Sequence, residues 1–186
     1  MPLLWRIPED YPDECIGAYD KAASFDRFLL KHGQPINVAE SRPVVRFDVT
    51  AERLRAYDCL PNTAQVPLIS GRLIGALQEL CESDFQSIPA LVVATDTHLE
   101  DFAYLNVTTA VKAIDHARSM CRFVPGTEEI MSFRQLHYEP NCLGKQHLAR
   151  DIEYRSHLLA SDQVLLLVRR LQAKGVALLS AEEIQW

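Results

Sequence analysis

The stretch Ser70 to Glu82 constrains the fold of this chain more than any other. Leu73, Ile74, Leu77, Leu80 and Cys81 recur at helical spacing, while Arg72, Gln78, Glu79 and Glu82 fall on the opposite side. A helix patterned in this way is stable only if its apolar stripe is laid on a core. The flanking sequence says what that core is made of. Val66 to Ile69 on one side, and Ile88 to Ala94 and Phe102 to Val107 on the other, are apolar runs of strand length, rich in β-branched and aromatic residues. The acidic loop Thr95 to Asp101 separates the last two, and the arrangement predicts a hairpin.

The remaining signals are shorter. Val45, Phe47 and Val49 alternate with Arg46 and Asp48, the period of a strand with one wet face, and Thr50 stands where it can cap a short helix through Tyr57. Met120 to Val124 and Ile130 to Tyr138 read as strands joined by the turn pair Pro125-Gly126, whereas Asp151 to Tyr154 and Ser156 to Leu159 are extended pieces of ambiguous type. Ser161 can cap a helix from Asp162 to Lys174, with Arg169, Arg170 and Lys174 at its negative end and Gly175 as terminator; a last strand runs through Leu179. Strands outnumber helices and come in runs, so the predicted class is α+β, a mixed, largely antiparallel sheet with packed helices. Before this region, Pro2, Pro8, Pro12 and Pro35 interrupt regularity, and Ala18, Ala22, Phe25, Phe28 and Leu29 take helical spacing up to a stop at Gly33 and Pro35. The expected organisation is an N-terminal arm and helix over residues 1–43, packed on a main domain over 44–186.

Composition narrows the function classes. The longest uninterrupted apolar run of the C-terminal helix is Val164 to Val168, far short of a membrane span of about 18 residues, and the N-terminus lacks the basic start of a secretory signal, so a cytoplasmic location is expected. A net charge of −6 argues against nucleic acid and suits a basic partner. The five cysteines (Cys15, Cys59, Cys81, Cys121, Cys142) are scattered and never form Cys-x-x-Cys, so they read as reduced thiols.

No motif assembles a recognisable chemistry. Gly71-x-x-x-Gly75 lies inside the helix and lacks the Lys and Ser or Thr of a phosphate loop. His137, Cys142 and His147, with Glu139 nearby, stand in a loop containing Pro140, Asn141 and Gly144, without the paired spacing that converges on an ion. Asp115-His116 are adjacent and point apart, which suits Asp115 to a turn or cap, and the pairs Glu128-Glu129 and Glu182-Glu183 have no apolar setting. No catalytic residue, metal or cofactor is expected.

From about Val66 onward the order of landmarks resembles the MXAN-type immunity proteins of bacterial polymorphic toxin systems. Leu68-Ile69-Ser70 opens the amphipathic helix, Ile88-Pro89 leads into a strand, and Ala103-Tyr104-Leu105-Asn106-Val107 follows. Val111-Lys112-Ala113-Ile114-Asp115 with Ser119 comes next, then Asp151-Ile152-Glu153-Tyr154-Arg155 before Leu159-Ala160-Ser161, and Gly175 near the end. The segment after Gly175 departs from the pattern in lacking a second glycine and a closing aromatic. The resemblance implies a protein that neutralises a toxin of the same cell, in competition between bacteria, by sitting over its active site or locking its conformation. It carries over no catalytic residues, so Tyr104, Asn106, Asp115 and Ser119 are expected to be landmarks of the fold.

A surface for such a toxin should combine apolar or aromatic anchors with charge complementary to a cationic effector. The expected candidates are Glu9, Asp10, Tyr11, Asp13 and Glu14 in the N-terminal stretch, and Asp96, Glu100 and Asp101 at the hairpin tip. Two other readings stay open, a hydrolase using Cys142 or Cys121 with a histidine and a small-ligand-binding regulator, and self-association is possible under any of them.

Overall fold

A computed structural model describes residues 1–37 and 42–184. In chain order its first elements are β1 (Leu3–Arg6), β2 (Ala18–Tyr19), β3 (Val44–Arg46), α1 (Ala51–Arg55), β4 (Cys59–Leu60), β5 (Leu68–Ser70) and α2 (Gly71–Cys81). Next come β6 (Phe85–Pro89), β7 (Leu91–Val93), β8 (His98–Leu99), β9 (Phe102–Val107), β10 (Ala110–Val111), β11 (Met120–Phe123) and β12 (Ile130–Gln135). The chain closes with β13 (Leu148–Asp151), β14 (Leu158–Ala160), α3 (Asp162–Leu171) and β15 (Ala177–Leu179).

The strands form a five-stranded sheet in the order β10-β13-β14-β1-β15, two four-stranded sheets, β4-β5-β9-β6 and β2-β3-β7-β8, and the hairpin β11-β12. Among the described strands only the β10–β13 and β3–β7 pairings are parallel, so the fold is α+β with mixed, mostly antiparallel sheets. The sheet containing β9 is the middle layer. All six residues of β9 are buried: Leu105 and Val107 enter the core that α2 and α3 share with the five-stranded sheet, while Phe102 and Tyr104 enter a second core beneath β3, β7 and α1. The far face of the five-stranded sheet, Leu4, Ala149 and Leu159, packs on Phe133, Leu136 and Tyr138 from the hairpin and the segment after it.

Helix α2 forms as its pattern dictates. Ser70 is extended and its Oγ accepts from the Leu73 amide at 3.3 Å, and Leu73, Leu77 and Cys81 turn into the core. Leu73 and Leu77 are fully enclosed, each stabilising the fold by about 2–3 kcal/mol. Among the described residues no helix is long and apolar enough to cross a membrane.

Several expected elements fold differently. The stretch read as an arm supplies β1, which lies between β14 and β15, because Leu3, Leu4 and Trp5 bury more apolar surface as an interior strand than at an edge. The helix expected from Ala18 does not form. Ala18 and Tyr19 pair with Arg46 and Val45, the Asp20 carboxylate accepts from the amides of Ala22 and Ala23, and only a short 3₁₀ turn, Arg27–Lys31, follows. Local helical spacing lost to a strand partner and an Asx turn. The run Ile88 to Ala94 is not one strand: β6 pairs with β9, and after Ala90 the chain crosses into another sheet as β7. The expected caps were also reassigned. Asp96, not Thr50, accepts from the Ala51 amide, Ser161 Oγ faces His147 rather than the start of α3, and α3 ends at Gln172 in the left-handed region, φ 50°. Gly175, at φ +86°, serves instead as a close docking point, since a Cβ there would lie 2.1 Å from the Cys59 carbonyl oxygen.

Candidate functional site

Residues 7–16 form an outward-facing segment pinned by two buried side chains. Tyr11 turns inward against Tyr57, with ring centroids 4.8 Å apart, and its hydroxyl donates to the Cys15 carbonyl at 3.3 Å, while Cys15 is itself fully buried. Tyr11, expected at the contact surface, is therefore a peg; its ring is too large and apolar to leave in water when a core position is open to it. Around these pegs Glu9, Asp10 and Asp13 hold their carboxylates on the surface, without an ion pair among the described residues, and Glu14 pairs with Arg53. Two apolar residues that charge-based reading overlooked flank them, Ile7 and Ile16, 52% and 43% exposed. An isolated isoleucine carries no sequence signal for exposure, and only the positions of Tyr11 and Cys15 reveal which way these two face.

The second acidic segment is divided. Asp96 meets the first segment at α1: its Oδ1 accepts from the Ala51 amide at 2.8 Å, and two residues along, Arg53 holds Glu14. An acid at this end of a helix offsets the exposed amides there, so the short helix α1 is held at both places by the predicted carboxylates. Glu100 pairs instead with Arg42 at 3.2 Å, and the Asp101 carbonyl accepts from the Gly71 amide at the start of α2. The expected tip is also not a simple loop, since β8 occupies His98 and Leu99. The structure thus joins Glu14 and Asp96 through α1 and ties Glu100 and Asp101 to other anchors.

The residues quoted as landmarks hold backbone and core. Tyr104, without exposed surface, donates to Asn62 Oδ1 at 3.1 Å, and Asn106 donates to the Gln34 carbonyl at 2.9 Å. Asp115 accepts from the amides of Ala117 and Arg118 in a turn, and Ser119 Oγ both donates to the His137 carbonyl and accepts from its amide.

Reactive chemistry finds little support in the arrangement. Burial pushes the Cys59 and Cys81 thiols up to about 12 and also raises Cys121 and Cys142. A thiol held in its protonated form is a poor nucleophile. His137 contacts Gln135 and Glu182, and His147 lies 3.0 Å from Ser161 Oγ; among the described residues no three His, Cys, Asp or Glu side chains are grouped to hold a metal ion. His157, stacked at 5.5 Å on Phe133 and 2.6 Å from the Tyr138 hydroxyl, is pushed down to about 3 by burial and by Arg6, so its imidazole is neutral. A cleft of about 600 Å³ lies beside this cluster, lined by Trp5, Arg6, Gln65, Pro67, Ser156 and His157 among others. Comparison with protein-family models and with curated proteins returns no match.

Proposed function

We propose that the protein is an immunity protein, which binds a cognate toxin through residues 7–16 and the adjoining rim of α1, and neutralises it by direct contact. The observation that carries this reading is the makeup of the segment. Glu9, Asp10 and Asp13 project from a stretch whose backbone is held by Tyr11 and Cys15, with exposed Ile7 and Ile16 at its two ends. Apolar anchors within a charged rim suit a specific contact with a basic partner, and a segment already pinned in place loses little conformational freedom on binding. The net charge of −6 favours encounter with a cationic toxin. The protein would act in the cytoplasm, where such a toxin meets its inhibitor.

The test is co-purification with the product of the neighbouring toxin gene, alongside growth rescue when that toxin is expressed. The triple variant Glu9→Lys, Asp10→Lys, Asp13→Lys should weaken binding at least tenfold and abolish the dependence of association rate on salt. If no neighbouring effector binds and growth is not rescued, the reading is wrong. If binding occurs but the triple variant binds normally, the contact surface is elsewhere.

A further inference from the structure

Among the described residues Arg150 is the largest fully buried side chain, 2% exposed, and no carboxylate meets it. It stands on β13, where its backbone pairs with Ala110 and Leu158, and its Nη1 donates to the Arg155 carbonyl at 3.0 Å. Among the described residues Nε and Nη2 have no hydrogen-bond partner. These two atoms share one edge of the guanidinium, the side-on fork whose parallel N–H groups match the two oxygens of a carboxylate or a phosphate.

The surroundings add positive charge. Lys31, at the end of the 3₁₀ turn, is held below the usual lysine range first by burial and then by Arg150 and Arg27. Arg150 and Arg27 thus both disfavour the charge on Lys31, in a chain of net charge −6. An uncompensated buried guanidinium costs several kcal/mol, so a fold that keeps one gains most by giving it an anion. Neither Arg150 nor Lys31 lines the nearby cleft, but each is held by a group at or beside its wall. Lys31 Nζ donates at 3.0 Å to Gln65 Oε1, and Gln65, in the left-handed region at φ 57°, lines the 600 Å³ cleft, as does Ser156, the residue after the Arg155 carbonyl that holds Arg150.

We propose that the free edge of Arg150, with Lys31 beside it, binds a small oxyanion, a carboxylate or phosphate group, at the wall of the cleft formed by Gln65 and Ser156. The Nε–H and Nη2–H groups take two oxygens of the anion, and Lys31 Nζ, released from Gln65, takes its remaining charge. The cleft shares Ile7 with the toxin-facing segment, but neither Arg150 nor Lys31 belongs to that segment, so the two proposals are tested separately.

Inorganic phosphate and acetate serve as probes, each against chloride at matched ionic strength. In a ¹H–¹⁵N spectrum the Arg150 Nε–H signal, identified by its loss in Arg150→Met, should shift saturably with at least one probe. The thermal midpoint should rise with the same probe, and the apparent dissociation constant should weaken at least tenfold in Lys31→Gln. A response to phosphate alone assigns a phosphate-bearing ligand, and a response to acetate alone assigns a carboxylate. Should Arg150→Met fail to fold, Lys31→Gln decides by itself. The proposal is overturned if neither probe acts beyond chloride, or if the response is unchanged in Lys31→Gln.

Discussion

Replacing Asp58 by asparagine, an isosteric change, should destabilise this protein substantially. Asp58 is 7% exposed, and four donors converge on its two oxygens: Ser70 Oγ and Arg72 Nε reach Oδ1, both at 3.0 Å, while Arg72 Nη2 at 2.6 Å and the Lys174 amide at 3.0 Å reach Oδ2. Its backbone adds to this, donating to the Lys174 carbonyl and accepting from the Ser70 amide. The residue therefore joins the start of α2 to the segment between α3 and β15. An asparagine has one oxygen and one NH₂ group, so at least two of the four donors would face another donor. Each lost bond to the charged group is worth about 1.5–3 kcal/mol. Arg72 is half exposed and recovers part of this from water, which leaves a net loss of about 3 kcal/mol. For a domain of this size that lowers the thermal midpoint by roughly 6–12 °C.

The effect should depend on pH in a defined direction. Burial pushes the Asp58 carboxyl up, but hydrogen bonds from Arg72, the Lys174 amide and Ser70 outweigh it and hold the group below the usual carboxylate range. A carboxyl depressed in the folded state contributes stability above its unfolded value, about 3.9, and loses it as the pH falls through the folded value. Urea unfolding of Asp58→Asn and the parent chain should thus show the full gap at pH 7 and a shrinking gap below about pH 4. A gap under 1 kcal/mol at pH 7, or one that is the same at both ends of the range, would refute the reasoning.

Other perturbations test other parts of the fold. Burial raises the Asp151 carboxyl to about 6, and among the described residues no partner meets its Oδ2, so ionising it costs folded stability as the pH rises from about 4 to 6; Asp151→Asn should raise the unfolding free energy measured by urea titration at pH 7.5, by up to about 3 kcal/mol, and change little at pH 4. Gly175→Ala places a methyl group 2.1 Å from the Cys59 carbonyl oxygen at a positive φ, and calorimetry should show a loss of at least about 3 kcal/mol. Tyr11→Ala empties the peg beneath residues 7–16 and should cost about 3 kcal/mol, with faster amide exchange across that segment. In the native chain at pH 7.5, maleimide should label Cys59 and Cys81 at least a hundredfold more slowly than in urea, whereas one fast-reacting cysteine tied to a defined activity would favour an enzyme.

The sequence by itself determined the elements whose signal is complete within a few turns of chain. Helix α2 needs only its own stripe and the Ser70 cap, the β11–β12 hairpin needs only two short runs around Gly126 at φ +79°, and a count of such runs leads to the α+β class. Tertiary structure decided wherever the partner of a segment is distant. Leu3–Arg6 became an interior strand because β14 and β15, more than 150 residues away, flank it, and Ala18 and Tyr19 gave up helical spacing to pair with β3. The run from Ile88 to Ala94 split because two sheets compete for it. The candidate surfaces divide in the same way. Charge marked Glu9, Asp10, Asp13 and Glu14, but only packing shows that Tyr11 points inward while Ile7 and Ile16 point out, and nothing in the local pattern around Arg150 reveals a buried cation. Periodicity records which side of a segment is apolar; what that side meets, and which polar atoms remain unpaired once it has done so, depends on chain that is close only after folding.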